Sequence, residues 1–271
     1  MKIIEFYKLQ ASGNDFILID NRKLKITSGR LKAIARNYCR RKLSIGADGL
    51  LVIEPSKKAL FKMRIFNVDG SEAQMCGNGA RCSAFWYALK GKPAKNIRFE
   101  TKAGIIESRV GQESVTIKLS DPKNIRLQMP INVLGRKIKV DFINSGVPHA
   151  VIFVEGLAKI KVEAIGRAVR FHKSFKPSGT NVDFVELLSA ETIALRTYER
   201  GVEAETLACG TGSVAAAIIS VAKLKLNSRK INVLTRGGEI LKVYFDKQGQ
   251  KFTKVWLEGK ANLVYKGGIY V

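Results

Sequence analysis

The sequence predicts an α+β protein of two similar halves, and three observations carry that reading. Short β-type runs recur along all 271 residues, helical periodicity is confined to four places, and two of the four helices begin with nearly the same residues. Runs of this length, bounded by Gly or polar turns, read as strands. In the first half they fall at 3–9, 16–20, 50–54, 61–67, 97–101, 105–110 and 114–120. The second half repeats the style at 137–144, 150–155, 182–187, 192–198, 230–235, 239–245 and 252–257. Helices at 30–42 and 159–173 are amphipathic and basic, so they belong on the outside. Helices at 79–89 and 211–224 are apolar on nearly every side, as in Val214-Ala215-Ala216-Ala217-Ile218-Ile219, and should be buried inside a sheet.

The two apolar helices open on Cys76-Gly77-Asn78-Gly79 and Cys209-Gly210-Thr211-Gly212, the mark of an internal duplication. A weaker echo joins Gly13-Asn14-Asp15-Phe16 to Gly179-Thr180-Asn181-Val182-Asp183-Phe184. The halves meet near Ser120-Asp121-Pro122, where a strand run stops at a proline, giving an N-terminal half over 1–119 and a C-terminal half over 120–262.

Composition removes several function classes. Lys and Arg number 47 against 23 Asp and Glu, a net charge of +24, so no acidic-tail protein is in view. A 46% apolar fraction suffices for a sizeable core and excludes disorder as the main state. The apolar opening 1–4 is broken by Glu5, too short for a signal-peptide core, and no run approaches the roughly 18 apolar residues of a spanning helix, so no membrane partner is expected and the default compartment is the cytoplasm. The basic balance fits nucleic-acid binding in principle, but the cations are scattered from Lys2 to Lys266 with no interleaved aromatic platform. A solvated Lys-rich surface explains them better. Four cysteines without a C-x-x-C are too sparse for a disulfide scaffold and read as reduced thiols.

A Cys just before a helix sits among backbone N–H groups that lack intrahelical partners, at the positive end of a dipole worth about half a charge. Such thiols ionise easily, at roughly 3.5–7.5 against about 8.5 for free Cys. The following glycines let a carboxylate approach the N–H groups closely. If two such ends face one another, one thiolate takes the proton from Cα of a bound amino acid while the opposite thiol returns one to the other face. Cys76 and Cys209 then form a two-base racemase needing no cofactor. Cys39 and Cys82, lacking that context, read as small buried hydrophobes. A zinc site is disfavoured because only His149 and His172 are available and no ligand pair has the usual spacing. Gly210-Thr211-Gly212-Ser213-Val214-Ala215 matches a dinucleotide fingerprint, but 203–206 is no parallel strand and Lys230 stands where the acidic residue belongs.

Six ordered motifs resemble the diaminopimelate epimerase family. They are Lys8-Leu9-Gln10-Ala11-Ser12-Gly13-Asn14-Asp15-Phe16, Gly46-Ala47-Asp48-Gly49, the stretch 66–82 around Cys76, Gly146-Val147-Pro148-His149, Gly179-Thr180-Asn181, and Tyr198-Glu199-Arg200-Gly201 leading into Glu205-Thr206-Leu207-Ala208-Cys209-Gly210-Thr211-Gly212. The resemblance implies two pseudo-symmetric domains, each a curled mixed β-sheet wrapped around a central apolar helix, with the active site in the cleft between them. It also places the final strand, 263–271, in the N-terminal half. The implied activity interconverts LL- and meso-diaminopimelate in lysine and peptidoglycan precursor biosynthesis. Cys76 and Cys209 are then the acid/base pair, acting without pyridoxal phosphate or metal, His149 and Glu199 their helpers, and Gly77, Asn78, Gly210 and Thr211 the cradle for the reacting carboxylate. Arg200 is expected on the distal carboxylate, and Asn14, Asn67, Asn181 and Glu199 among the groups that bind substrate. Arg81 and the Asp69-Gly70 turn are structural in this reading, and a homodimer is expected because the family often dimerises.

The chain departs from the family pattern at three places. Val147 stands where many members have Asn, Gly49 where some have Gln, and the segment 201–205 is one residue longer, leaving Glu203 unmatched with Glu205 as the family Glu. The rival within the enzyme class is a proline or hydroxyproline racemase, which would give Arg200 and the three Asn nothing to bind. A phenazine-type isomerase lacks the paired cysteines. A basic nucleic-acid-binding protein would need neither thiol and would lose binding steeply with salt, while a thiol-redox protein would need the pair to form a working disulfide.

Overall fold

In a computed structural model of the chain, residues 3–91 and 96–270 are described. Residues 1, 2, 92–95 and 271, which the sequence places in the N-terminal half, lie outside them. The chain divides into two compact units, 1–117 with 259–271, and 118–258.

The first unit contains β1 (Ile3–Ala11), β2 (Asn14–Asp20), α1 (Ser28–Tyr38), β3 (Gly49–Glu54), β4 (Lys62–Asn67), β5 (Glu72–Ala73), α2 (Gly77–Leu89), β6 (Asn96–Thr101), β7 (Gly104–Val110) and β8 (Ser114–Lys118). The second contains β9 (Lys123–Val133), β10 (Arg136–Asn144), β11 (Pro148–Phe153), α3 (Val162–Arg170), β12 (Asn181–Ser189), β13 (Thr192–Glu199), β14 (Ala204–Thr206), α4 (Gly210–Lys223), β15 (Lys230–Leu234), β16 (Ile240–Gln248) and β17 (Lys251–Lys260). The last strand, β18 (Asn262–Tyr270), returns to the first unit and pairs antiparallel with β1.

Pairing shows the duplication strand by strand. In the first unit β1 and β2 are antiparallel, β2 and β3 parallel across α1, β3 and β4 antiparallel, and β4 parallel to β6 across α2. The second unit repeats this: β10 and β11 antiparallel, β11 and β12 parallel across α3, β12 and β13 antiparallel, and β13 parallel to β15 across α4. Each unit is therefore a mixed sheet around one apolar helix, an α+β fold with few helices. The two crossovers over the outer helices obey the usual need for a helix between parallel neighbours.

The helix faces follow from composition. Helix α4 keeps Val214 through Ile219 at 0% exposure against β10 to β13, β15 and β16, and each buried Ile adds about 1.5–3 kcal/mol. On the opposite side of that sheet, Val162 and Val169 of α3 pack on Val182, Phe184 and Tyr198. In the first unit Leu31, Ile34 and Ala35 of α1 pack on Ile17, Leu50 and Phe66.

Boundaries differ from the sequence reading for local reasons. Helices α2 and α4 start at the glycine after each Cys, because the cysteine itself is the extended capping residue. Helix α3 is shorter than expected because Ile160, at ψ 130°, breaks it from a short 3-10 turn at Leu157–Lys159, and His172, at ψ 142°, is extended at the far end. Strand β9 was not expected: Ile125, Leu127, Met129, Ile131 and Val133 alternate along it, but it carries Pro130, which argues against a strand reading, and most of its length is exposed against its partner β10.

Candidate active site

In the first unit the site is built at the start of α2. Cys76, with φ −139° and ψ 125°, caps the helix, and its sulfur accepts from the Gly79 N–H at 3.5 Å. The first intrahelical bond is Ala80 N–H to the Cys76 carbonyl, so the Gly77 and Asn78 N–H groups have no helical acceptor. The tight β1–β2 turn, with Ser12 at φ 52° and Gly13 at φ 84°, needs two left-handed residues and delivers Asn14 beside that helix end. The Asn78 amide donates to Asn14 Oδ1, and Asn14 Nδ2 donates to Asp48 Oδ2 at 3.0 Å. Arg81, wholly buried, donates to Asn78 Oδ1, to Ser12 Oγ at 2.7 Å and to the Lys260 carbonyl at 3.4 Å. Arg81 thus sets the orientation of two amides in a row.

Asn67 ends β4 opposite Gly49, is exposed, and donates to Ser71 Oγ at 2.9 Å. A Cβ at Gly49 would lie 2.9 Å from the Phe66 carbonyl oxygen, so on this backbone no longer side chain fits there. Below the turn, burial would raise Asp15, but its bonds to Lys8 and Arg41 outweigh that and hold it below the usual carboxylate value.

The second unit builds a different chemistry at the start of α4. Cys209 is 6% exposed, and its sulfur lies 3.5 Å from Thr211 Oγ1. Thr211 Oγ1 is 3.0 Å from His149 Nε2, and His149 Nδ1 is 2.6 Å from Asp183 Oδ2, with both side chains fully buried. Thr197 donates to the other Asp183 oxygen at 2.8 Å. Strand register explains the assembly: His149 on β11 is opposite Asn181 on β12, and Asp183 falls on the same face two residues on. Val182 and Phe184 alternate onto the α3 face.

Asn181 is committed inside the protein. Its Oδ1 accepts from the Arg200 N–H at 2.8 Å, and its Nδ2 donates to the Pro148 carbonyl at 3.0 Å and lies 3.4 Å from His149 Nε2. Glu199 accepts from Thr206 at 3.1 Å, and burial pushes its carboxyl up despite that bond. Arg200 donates to the Ser178 carbonyl at 3.2 Å and makes no ion pair among the described residues. Glu203, unmatched in the sequence, pairs with Arg170 at 3.0 Å, and Glu205 takes both guanidinium donors of Arg196 at 2.6 and 2.7 Å.

One expectation is corrected. A helix start should make Cys209 ionise easily, yet burial, then the charges of Glu199 and Asp183, push its thiol well above the ordinary value. The Thr211 hydroxyl and Gly212 N–H pull the other way and lose. Cys39 is pushed up to about 12 by burial and Cys82 higher still, in keeping with inert core thiols. Sequence reading missed Asp183, Thr197 and Thr206 as site residues. The one available signal was the spacing of Asn181 and Asp183, which puts both on one strand face.

The diaminopimelate epimerase family profile matches residues 6–124 and 142–264. A diaminopimelate epimerase of Aquifex aeolicus (strain VF5) is 43% identical, covering 97% of each chain, and one of Archaeoglobus fulgidus is 39% identical, covering 97% of this chain and 95% of that one. The chain belongs to the diaminopimelate epimerase family. Solved structures share the fold at low identity. A PhzF-family phenazine biosynthesis protein of Bacillus anthracis aligns with TM-score 0.79 at 16% identity, covering all of both chains. A hydroxyproline epimerase from Agrobacterium vitis aligns with TM-score 0.69 at 14% identity, covering 99% of this chain and 91% of that one. Both family stretches run through a Cys-Gly-x-Gly helix start. Among the described residues no helix is long and apolar enough to cross a membrane.

Proposed function

We propose that this family member interconverts LL- and meso-diaminopimelate by moving a proton at Cα between two cysteine sulfurs, without a cofactor. The observation that carries the reading is the repeated helix start, with Cys76 and Cys209 each capping an apolar helix in a chain whose full-length relatives are named diaminopimelate epimerase. The thiolate of one cysteine removes the Cα proton; the thiol of the other protonates the opposite face. The Cα–H of an amino acid is a very weak acid, so the charge that builds on the carboxylate must be met by groups already in place. The Gly77, Asn78, Gly210 and Thr211 N–H groups at the two helix starts suit that task.

Charge assigns the remaining roles. Arg200, whose guanidinium has no carboxylate partner among the described residues, takes the distal carboxylate. Asn14 and Asn67, each with one amide hydrogen already given to Asp48 and Ser71, offer the remaining hydrogen-bonding capacity of their amides to the substrate's ammonium and carboxylate groups. Asn181, with its amide spent on Arg200 and Pro148, holds Arg200 and His149 in place. Glu199 and His149 adjust the protonation of the thiols. The reading extends to a soluble cytoplasmic homodimer serving lysine and peptidoglycan precursor synthesis.

Proton NMR of LL-diaminopimelate in D₂O with the reduced protein tests this, with proline and lysine as controls. Deuterium at Cα together with appearance of the meso isomer is the expected result. Exchange of proline instead would move the substrate to a racemase of the sister type, and no exchange at all would defeat the reading.

A further inference from the structure

A line of hydrogen bonds runs inward from Cys209 and ends on a carboxylate that the mechanism above does not use. Its steps are Cys209 Sγ to Thr211 Oγ1 at 3.5 Å, Thr211 Oγ1 to His149 Nε2 at 3.0 Å, and His149 Nδ1 to Asp183 Oδ2 at 2.6 Å. Asp183 is 0% exposed and Thr197 donates to its second oxygen at 2.8 Å. The polarity of the line can be read from its ends. A carboxylate only accepts, so the ring nitrogen 2.6 Å from it must carry the hydrogen. In the neutral ring Nε2 then keeps a lone pair, and its neighbours fit an acceptor there: the Thr211 hydroxyl at 3.0 Å is able to donate, and the Asn181 amide nitrogen at 3.4 Å can only donate. With its hydrogen turned to His149, Thr211 presents an oxygen lone pair to the Cys209 S–H.

We propose that Asp183 is a positioning residue that locks His149 in the Nδ1–H tautomer and thereby fixes the direction in which Cys209 releases its proton. When Cys209 ionises, its proton passes to Thr211 Oγ1 while the Thr211 proton passes to His149 Nε2. One S–H bond breaks, one N–H bond forms, and the resulting imidazolium is matched by the Asp183 carboxylate already in contact with it. The reverse transfers restore the thiol. Room for the carboxylate comes from Gly212, where a Cβ would stand 2.6 Å from Asp183 Oδ1. In the first unit the residue equally placed two after the cysteine is Asn78, which is anchored on the buried cation Arg81. The proposal rests on the two-base reading for its kinetic consequence but not for its tautomer.

The test begins with wild-type protein labelled with ¹⁵N-histidine, which carries only His149 and His172 and so gives few signals. His149 should show a protonated Nδ1 and an unprotonated Nε2; the opposite tautomer in wild type overturns the proposal whatever any variant does. In Asp183→Asn the amide nitrogen turns toward Nδ1, because Thr197 holds the amide oxygen, and the protonated nitrogen should become Nε2. Epimerisation should then fall about 10²-fold in kcat with KM within about twofold, a loss of the size general acid–base groups contribute. The limb of the pH profile that reports Cys209 should move while the other limb stays. The charged and titratable groups facing Cys209 are Glu199 on β13, Asp183 on β12 and His149 on β11, so Glu199→Gln serves as the reference for a charge change that leaves the tautomer alone. Wild-type tautomer retained in Asp183→Asn, or equal movement of both limbs, counts against the assignment. If Asp183→Asn does not fold, Thr197→Val, which frees the Oδ1 side only, should keep the Nδ1–H tautomer and lose less than tenfold in kcat. An Nε2–H tautomer in that variant overturns the lock. Failure of wild type to epimerise would defeat the two-base function while leaving the tautomer result to stand or fall by itself.

Discussion

Cys76 and Cys209 open matching helices but differ in burial: Cys76 is half-buried, whereas Cys209 is 6% exposed and faces Glu199 and Asp183. The expected consequence for chemistry is that Cys76→Ala and Cys209→Ala each lower epimerisation by at least about 10³-fold, within the range that acid–base groups supply. Progress curves by NMR decide this, and near-normal turnover in either variant would remove the two-base assignment. Cys209 is raised, so it stays a thiol through neutral pH, and the direction of reaction that needs it as acid should lose activity only above the ordinary thiol value of about 8.5. Labelling follows the same order: iodoacetamide at pH 8 should alkylate half-buried Cys76 first, Cys209 slowly, and Cys39 and Cys82 not at all on that time scale. Peptide mass spectrometry of a time course checks it, and prior modification of Cys209 would contradict the burial argument.

At the scale of elements, the helices and most strands were legible because their signals are local. Four helices and the inner strands carry apolar runs or helical periodicity of their own, and the paired Cys-Gly-x-Gly starts by themselves mark both cysteines as helix caps. What escaped has two causes. Strand β9 alternates apolar residues but carries Pro130 and lies largely exposed in a local hairpin with β10, turned at Leu134 (φ 49°) and Gly135 (φ 76°), whereas the Asp183–His149 contact exists only because the separate segments β11 and β12 run parallel in a given register. The same logic gives a prediction for α4. Gly212 in its first turn has no room for a methyl group, with Asp183 Oδ1 at 2.6 Å and Thr197 Oγ1 at 3.2 Å from the Cβ position. Gly212→Ala should therefore cost about 1–3 kcal/mol of stability, the usual range for overpacking. Urea denaturation reads the cost, and a variant as stable as wild type would mean that β12 and β13 yield more easily than their pairing suggests.

For the whole molecule the question is which electrostatic effect dominates, attraction within ion pairs or repulsion among 47 basic residues opposed by 23 acidic ones. Most pairs are partly exposed, such as Arg22 with Asp20 at 2.7 Å and Lys254 with Asp246 at 2.9 Å, and exposed pairs contribute little. A net charge of +24 acts on every basic side chain at once and is screened over about 8–10 Å at 0.10–0.15 M salt. Repulsion should win, so Tm at pH 7 should rise between about 0.02 and 0.3 M NaCl, ionic strengths that take the Debye length from beyond to within neighbour distances. Acid strengthens the effect. Asp15, Asp20 and Glu72 are held below their ordinary values, the first two against the pull of burial and the third by Arg64, Lys8, Arg41 and Arg22 being the partners of the others. Because a depressed carboxylate adds stability above its unfolded value of about 3.9–4.3 and loses it as pH falls through the folded one, Tm should be level from pH 7 to about 5 and fall steeply below 4. Each proton taken up there also raises the positive charge, so salt should recover more of the lost Tm at pH 3.5 than it adds at pH 7. Calorimetric scans over that grid of pH and NaCl are the measurement. A Tm that falls with salt at pH 7 would show that the ion pairs, not the surplus of basic residues, set the electrostatic balance of the fold.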